Sequence, residues 1–170
     1  MNDVLLRWNA APKDAAATQI LTCCGSKTWA SEMAARRPVP DESALIAASD
    51  ETWRGLNESD WMEAFNSHPR IGDLSAPNPS AHRSATWAMQ EQKKVADADD
   101  AIKIALAEGN REYENKFGRI FIVCATGKSA AELLEALRRR LQSDPRTELY
   151  EAAEQQRQIT QVRLRKWLKE

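Results

Sequence analysis

A single stretch of this chain, Ile120 to Ala125 (IFIVCA), has the β-branched, apolar character of a strand, and no second stretch could pair with it. A strand without a partner leaves backbone N–H and C=O groups unbonded, so this run cannot build a sheet. The alternation of strands and helices that an α/β fold needs is missing. The expectation is therefore an all-α fold, a single domain over residues 1–170. It is predicted as a bundle of roughly eight to ten helices, with Ile120–Ala125 as one short, buried extended segment.

The helices are marked by period and punctuation. Pro12 suits a first turn and Gly25 a stop, with Ala16, Ile20 and Cys24 along one face between them. Ser26 can cap the next helix, where Trp29 and Met33 lie four apart before RRPVPD breaks it. A third helix carries Leu45, Ile46 and Trp53, and a fourth begins near Ser59 and buries Trp61, Met62 and Phe65. Proline disfavours helical backbone in the residue before it, so this helix should end at or near His68. LSAPNPSAH reads as a loop, followed by a helix over SATWAMQEQKKVADA and another over DDAIKIALAEG. Ser129 and Glu132 form a capping box, and Asp144 with Pro145 opens a long final helix.

Charge excludes some functions. With 24 basic and 25 acidic residues the net charge is -1, which gives no global attraction to nucleic acid or anionic membrane. No apolar run is long enough to span a bilayer, and MNDVLLRWNAAPKD lacks a signal peptide's basic head and apolar stretch. A cytoplasmic protein is expected. Cys23, Cys24 and Cys124 show no CxxC spacing and no histidine cluster accompanies them, so they read as buried thiols and no metal site is expected.

Three residues are candidates for chemistry. His68 stands in FNSHPRIGD at a helix stop, where the helix C-terminus favours imidazolium and Pro69 fixes the exit of the chain. Held there, it can act as a general acid or base near neutral pH; the plainer alternative is a surface or satisfied core histidine. His82, in SAHRS, has no such support and reads as solvent-exposed. Glu91 lies four residues from both Trp87 and Val95, so it turns partly inward and needs a partner, which His68 could be. Taken alone, it reads as a glutamate at an amphipathic boundary. Arg163, between Ile159 and Trp167 on an inward stripe, fits either an anionic ligand or a core-edge glutamate. CATGKSAAE lacks the spacing of a phosphate-binding loop, though a helix N-terminus there can hold a carbonyl or anionic oxygen.

In order along nearly the whole chain, these pieces resemble one family, the decarboxylases of 2-oxo-4-hydroxy-4-carboxy-5-ureidoimidazoline (OHCU), which make (S)-allantoin in uric acid breakdown. The matching pieces are HPRIGD, the EQ of Glu91 and Gln92, YENKFGRIFIVCATGKSAAELLEALRRRL, and EL followed by AAEQQRQITQVRLRKWL, with a looser match in CCGSKTWASEMAARRP. The resemblance implies His68 and Glu91 as catalytic residues. It implies substrate contacts at Pro69, Ala88, Gln92, Ile122, Val123, Cys124, Ala125, Thr126 and Arg163. It also implies a homodimer, a small cyclic ureide carboxylate as substrate, and neither metal nor cofactor. Two departures stand out: Ala88 replaces the serine of a Ser-x-x-Glu-Gln pattern, and the frequent FGFPF is FGRIF, with Arg119 and Ile120 in place of an aromatic and a proline. HPRIGD also differs from the HPDLAG form, so no role is carried onto Arg70 or Asp73.

Loss of carbon dioxide from such a substrate leaves an electron pair on the carbon bearing the hydroxyl, and the adjacent C=N can accept it. The protein must supply orientation, a proton on one face, and stabilisation of charge. Two other readings use the same residues: a non-catalytic all-α interaction module displaying the six tryptophans, and an acid–base lyase or hydrolase acting on another cyclic ureide.

Overall fold

The computed structural model describes residues 2–72 and 82–170, with the backbone alone at His82. The loop expected over LSAPNPSAH, Asp73, and the side chain of His82 lie outside the described residues. Among those described there are ten helices and no strand. In order they are α1 (Asp3–Ala10), α2 (Lys13–Cys24), α3 (Lys27–Ala35), α4 (Glu42–Gly55), α5 (Glu58–Asn66), α6 (His82–Glu91), α7 (Lys93–Ala96), α8 (Asp100–Phe117), α9 (Ala130–Arg140) and α10 (Pro145–Trp167). They fall into two compact units, Met1–Ala64 with Arg157–Glu170, and Phe65–Gln156.

The first unit is built from capped helices around an aromatic core. Ser26 accepts from Trp29 N, Asp41 accepts from Ala44 N, and Gly25 ends α2 at φ 94°, a left-handed conformation that costs glycine little. Ala16, Ile20 and Cys24 are fully buried along the expected face, as are Trp29 and Met33. Trp8 meets Trp167 edge to face, with ring centroids 5.8 Å apart. Asp50 joins α4 to α10, accepting from Arg157 Nη1 at 2.8 Å and from Gln161 Nε2 at 2.9 Å. Helix α1 lies outside the sequence-based expectations; Asn2 caps it by accepting from Val4 N and Leu5 N. Trp61 and Met62 are half-buried, where full burial was expected; only Phe65 of that trio is in the core.

The second unit shows how a strand-like run is buried without a sheet. Ile122 O accepts from Arg140 Nη1 at 2.6 Å, and Cys124 N donates to Gln155 Oε1 at 2.9 Å. Side chains thus replace the missing partner strand. Arg140 is itself buried, donating to Glu148 Oε1 through Nη2 and, at 2.8 Å, through Nε; Tyr113 OH donates to the same oxygen at 2.5 Å. Breaking such a buried pair by removing one partner typically costs about 3–5 kcal/mol.

Two helix boundaries differ from expectation. The helix over SATWAMQEQKKVADA is broken at Gln92, whose φ of -101° and ψ of 16° separate α6 from the short α7. The buried Gln92 amide is used across the chain, because its Oε1 accepts from Gly72 N at 3.0 Å. The helix expected to stop at Gly109 instead runs on to Phe117, and Gly118 ends it at φ 69°. Gly109 is a contact residue: a Cβ there would lie 2.6 Å from Leu137 Cδ2. The capping box of Ser129 and Glu132 and the Asp144 cap of α10 form as predicted.

Candidate active site

Helix α5 ends at Asn66, and His68 follows in the turn, its N–H donating to Phe65 O at 3.2 Å. Its half-buried ring places Nε2 2.6 Å from Oε1 of Gln156, a fully buried residue of α10. With the amide oxygen as acceptor, Nε2 carries a proton and donates it.

The residues after His68 are pinned one by one. Arg70 reaches Glu114 with both arms, at 2.9 and 2.8 Å. Ile71 O accepts from Asn110 Nδ2 at 2.8 Å, and Gly72 N is taken by Gln92. Gly72 itself has φ +85°, and only Val95 Cγ1, at 4.0 Å, borders a Cβ there, so glycine is required by conformation and not by space. Anchors on α8, on α10 and at the α6–α7 break therefore hold the turn that carries His68. This gives HPRIGD a physical role: Arg70 is a tether.

Around His68 the second unit has a cavity of about 440 Å³, lined by His68, Asn66, Arg70, Glu114, Arg119 and Ile120. Its lining is polar and partly cationic.

The other sequence-derived candidates of this unit divide by burial. Ala88, Gln92 and Ile122–Ala125 are buried, Pro69 and Glu91 are half-buried, and Thr126 is exposed in the turn. Glu91 is the last residue of α6. Burial is the main cause that raises the Cys124 thiol, and the charge of Glu91 adds to it, while hydrogen bonds from Thr126 and the charge of Lys128 oppose the rise.

Arg163 belongs to the first unit and is turned inward as expected, 1% exposed, with Ile159 and Trp167 also buried. Its Nη1 donates to Thr22 O at a long 3.4 Å. Burial pushes the Cys24 thiol up to about 12; the Ser26 backbone, Thr160 and Arg163 oppose that, and Glu63 adds to it.

Gln156 and Arg119 stand outside the sequence-derived candidates. For Gln156 the signal was spacing: it lies seven residues before Arg163, an amide at an inward position. For Arg119 it was a charge standing next to an apolar run.

The family described as OHCU decarboxylase matches residues 9–165 of the chain. The "Uric acid degradation bifunctional protein TTL" of Arabidopsis thaliana is 36% identical over 144 residues, covering 85% of this chain and 44% of that protein. The "Uric acid degradation bifunctional protein" of Bacillus sp. (strain TB-90) is 25% identical over 149 residues, 85% of this chain and 28% of that one. The chain thus spans less than half the length of these two relatives. A crystal structure of OHCU decarboxylase in the presence of (S)-allantoin superposes with a TM-score of 0.76 at 32% identity, covering 94% of this chain and all of that one. A crystal structure of (S)-allantoin synthase, at 18% identity and a TM-score of 0.72, shares the fold.

Proposed function

The chain belongs to the OHCU decarboxylase family, and from that premise we propose that it converts 2-oxo-4-hydroxy-4-carboxy-5-ureidoimidazoline to (S)-allantoin in uric acid degradation, as a single functional domain. The observation that carries the proposal is His68, held by Gln156 at the edge of a polar cavity in the turn that matches the family's HP step.

The chemistry asks little of a catalyst beyond placement. As the C–C bond to the carboxylate breaks, its electron pair passes into the neighbouring C=N of the substrate, so the reaction runs without metal or organic cofactor. His68 exchanges a proton with the substrate hydroxyl or the new carbon centre, delivering it to one face. Glu91 steers the imidazole, Arg163 grips an anionic or carbonyl edge through its planar fork, and Gln92 and the backbone of Ile122–Thr126 read the ring. The site takes a small molecule, and the protein acts as a homodimer in the cytoplasm. Among the described residues no helix is long and apolar enough to cross a membrane.

The test is to supply freshly generated substrate and follow the circular dichroism of the product. Wild type should yield (S)-allantoin. His68→Ala should stay folded and lose most of the acceleration, since acid–base catalysis typically supplies about 10²–10⁴-fold. A folded His68→Ala protein making (S)-allantoin at the wild-type rate would remove His68 from the mechanism.

A further inference from the structure

We propose that Arg119 is an anion-binding residue of the His68 cavity, and that it takes the carboxylate of a planar cyclic ureide. This rests on the reading of the cavity as a substrate site and adds to it a recognition residue that the family pattern does not supply, since FGFPF has an aromatic where this chain has Arg119.

Two arginines flank the same extended segment, and they are treated differently. Arg140, 3% exposed, has a carboxylate in Glu148 and a carbonyl in Ile122. Arg119, 8% exposed, makes one long hydrogen bond from Nη1 to Phe117 O at 3.4 Å. Its Nε and Nη2 are buried without a hydrogen-bond partner among the described residues. Its guanidinium lies over the Phe117 ring, 5.6 Å from the centroid. A ring face offers a cation far less than a carboxylate does, and a buried charge without a counter-charge is costly.

Among the described residues, no carboxylate pairs with it. The carboxylate on the cavity wall is Glu114, which both arms of Arg70 already occupy. Glu148 turns Oε1 to Arg140 and Tyr113, and its buried Oε2 makes no hydrogen bond to Arg119 or to any other described residue. The charges of Arg70 and Glu114 cancel, which leaves Arg119, among the described residues, as a cation without an ion pair on a wall it shares with His68. A guanidinium so placed is completed by an oxyanion entering from the cavity. At about 440 Å³ the cavity suits a small ring bearing one carboxylate.

A cation on the carboxylate stabilises the substrate's full charge more than the transition state, in which that charge is leaving. Removing it should therefore weaken binding and leave the bond-breaking step unimpaired.

The experiment uses the full chain as wild type, Arg119→Phe and Arg119→Lys, with orotate and uracil as probes by titration calorimetry. Phe is the residue type of the family pattern, so the fold should tolerate it. Orotate should bind wild type, lose about tenfold or more on Arg119→Phe, as expected for a charge-assisted hydrogen bond, and recover in part with Arg119→Lys. Uracil, which lacks the carboxylate, should be indifferent to both. With freshly generated substrate the loss in Arg119→Phe should fall on KM and not on kcat. Equal orotate affinity in wild type and Arg119→Phe, no orotate binding by wild type, or a fall in kcat at constant KM would each overturn the role. If wild type binds orotate through Arg119 yet does not decarboxylate, the reaction assignment fails and the anion site stands.

Discussion

Nε2 of His68 lies 2.6 Å from Oε1 of Gln156, so the ring that follows the end of α5 is held by the buried face of α10. A neutral amide orients the ring without adding charge. Gln156→Glu places a carboxylate there, which favours imidazolium and should move the His68 titration upward, carrying the pH–rate profile with it. Gln156→Leu should lower the rate roughly tenfold, the worth of one lost hydrogen bond to the catalytic group. The chain has two histidines, so proton NMR resolves the titration, with His68→Ala assigning the signals. An unmoved His68 titration in Gln156→Glu would refute the contact.

Arg163 is 1% exposed on an inward stripe of α10. Arg163→Lys keeps the charge and loses the planar fork, so the apparent substrate affinity should fall about tenfold or more, the range of a charged hydrogen bond. Steady-state kinetics measures it. An unchanged KM would show that Arg163 is a structural cation.

Gly109 sits where α8 touches α9, and a Cβ there would approach Leu137 Cδ2 to 2.6 Å and Cγ to 3.2 Å. Leu137 is fully buried, so it has little room to move aside. Gly109→Ala gains about 1 kcal/mol of helix propensity and loses about 1–3 kcal/mol to overpacking, a net loss. In a Leu137→Ala background the clash is gone and the same change should stabilise. Denaturant melts of the four proteins decide it; equal effects in both backgrounds would dismiss the contact.

Cys24 has its thiol raised by burial from 9.0 to about 12. In the unfolded chain the thiol ionises above about pH 9, while in the native protein it keeps its proton. The unfolded state thus binds fewer protons, and stability present below pH 9 is lost as pH rises toward 12. Cys24→Ala should flatten that alkaline limb, at the expense of stability at neutral pH from the space left behind. A limb of equal slope in both proteins would locate the titration elsewhere.

Much of this protein was readable in one dimension because the signals are local. The Ser26 cap, the Gly25 stop, the Ser129–Glu132 box and the Asp144–Pro145 start each act within four residues, so the sequence alone placed those helix ends. The lone strand-like run excluded a sheet by the same logic, since pairing needs a second run and none exists. The HP step placed His68 just beyond a helix end. What the sequence could not determine lies in contacts between distant residues. Gly109 reads as a stop until Leu137 is seen beside it. Gln92 stands at a helix break, and its side-chain amide accepts from Gly72, 20 positions earlier. Gln156 reaches His68 from 88 positions away. Arg119 and Arg140 are the same residue type on either side of one segment, and only tertiary structure gave Arg140 a carboxylate and left Arg119 facing a cavity. Hydrogen bonds and burial act over a few ångströms of space, and a sequence specifies neighbours in space only after the chain has folded.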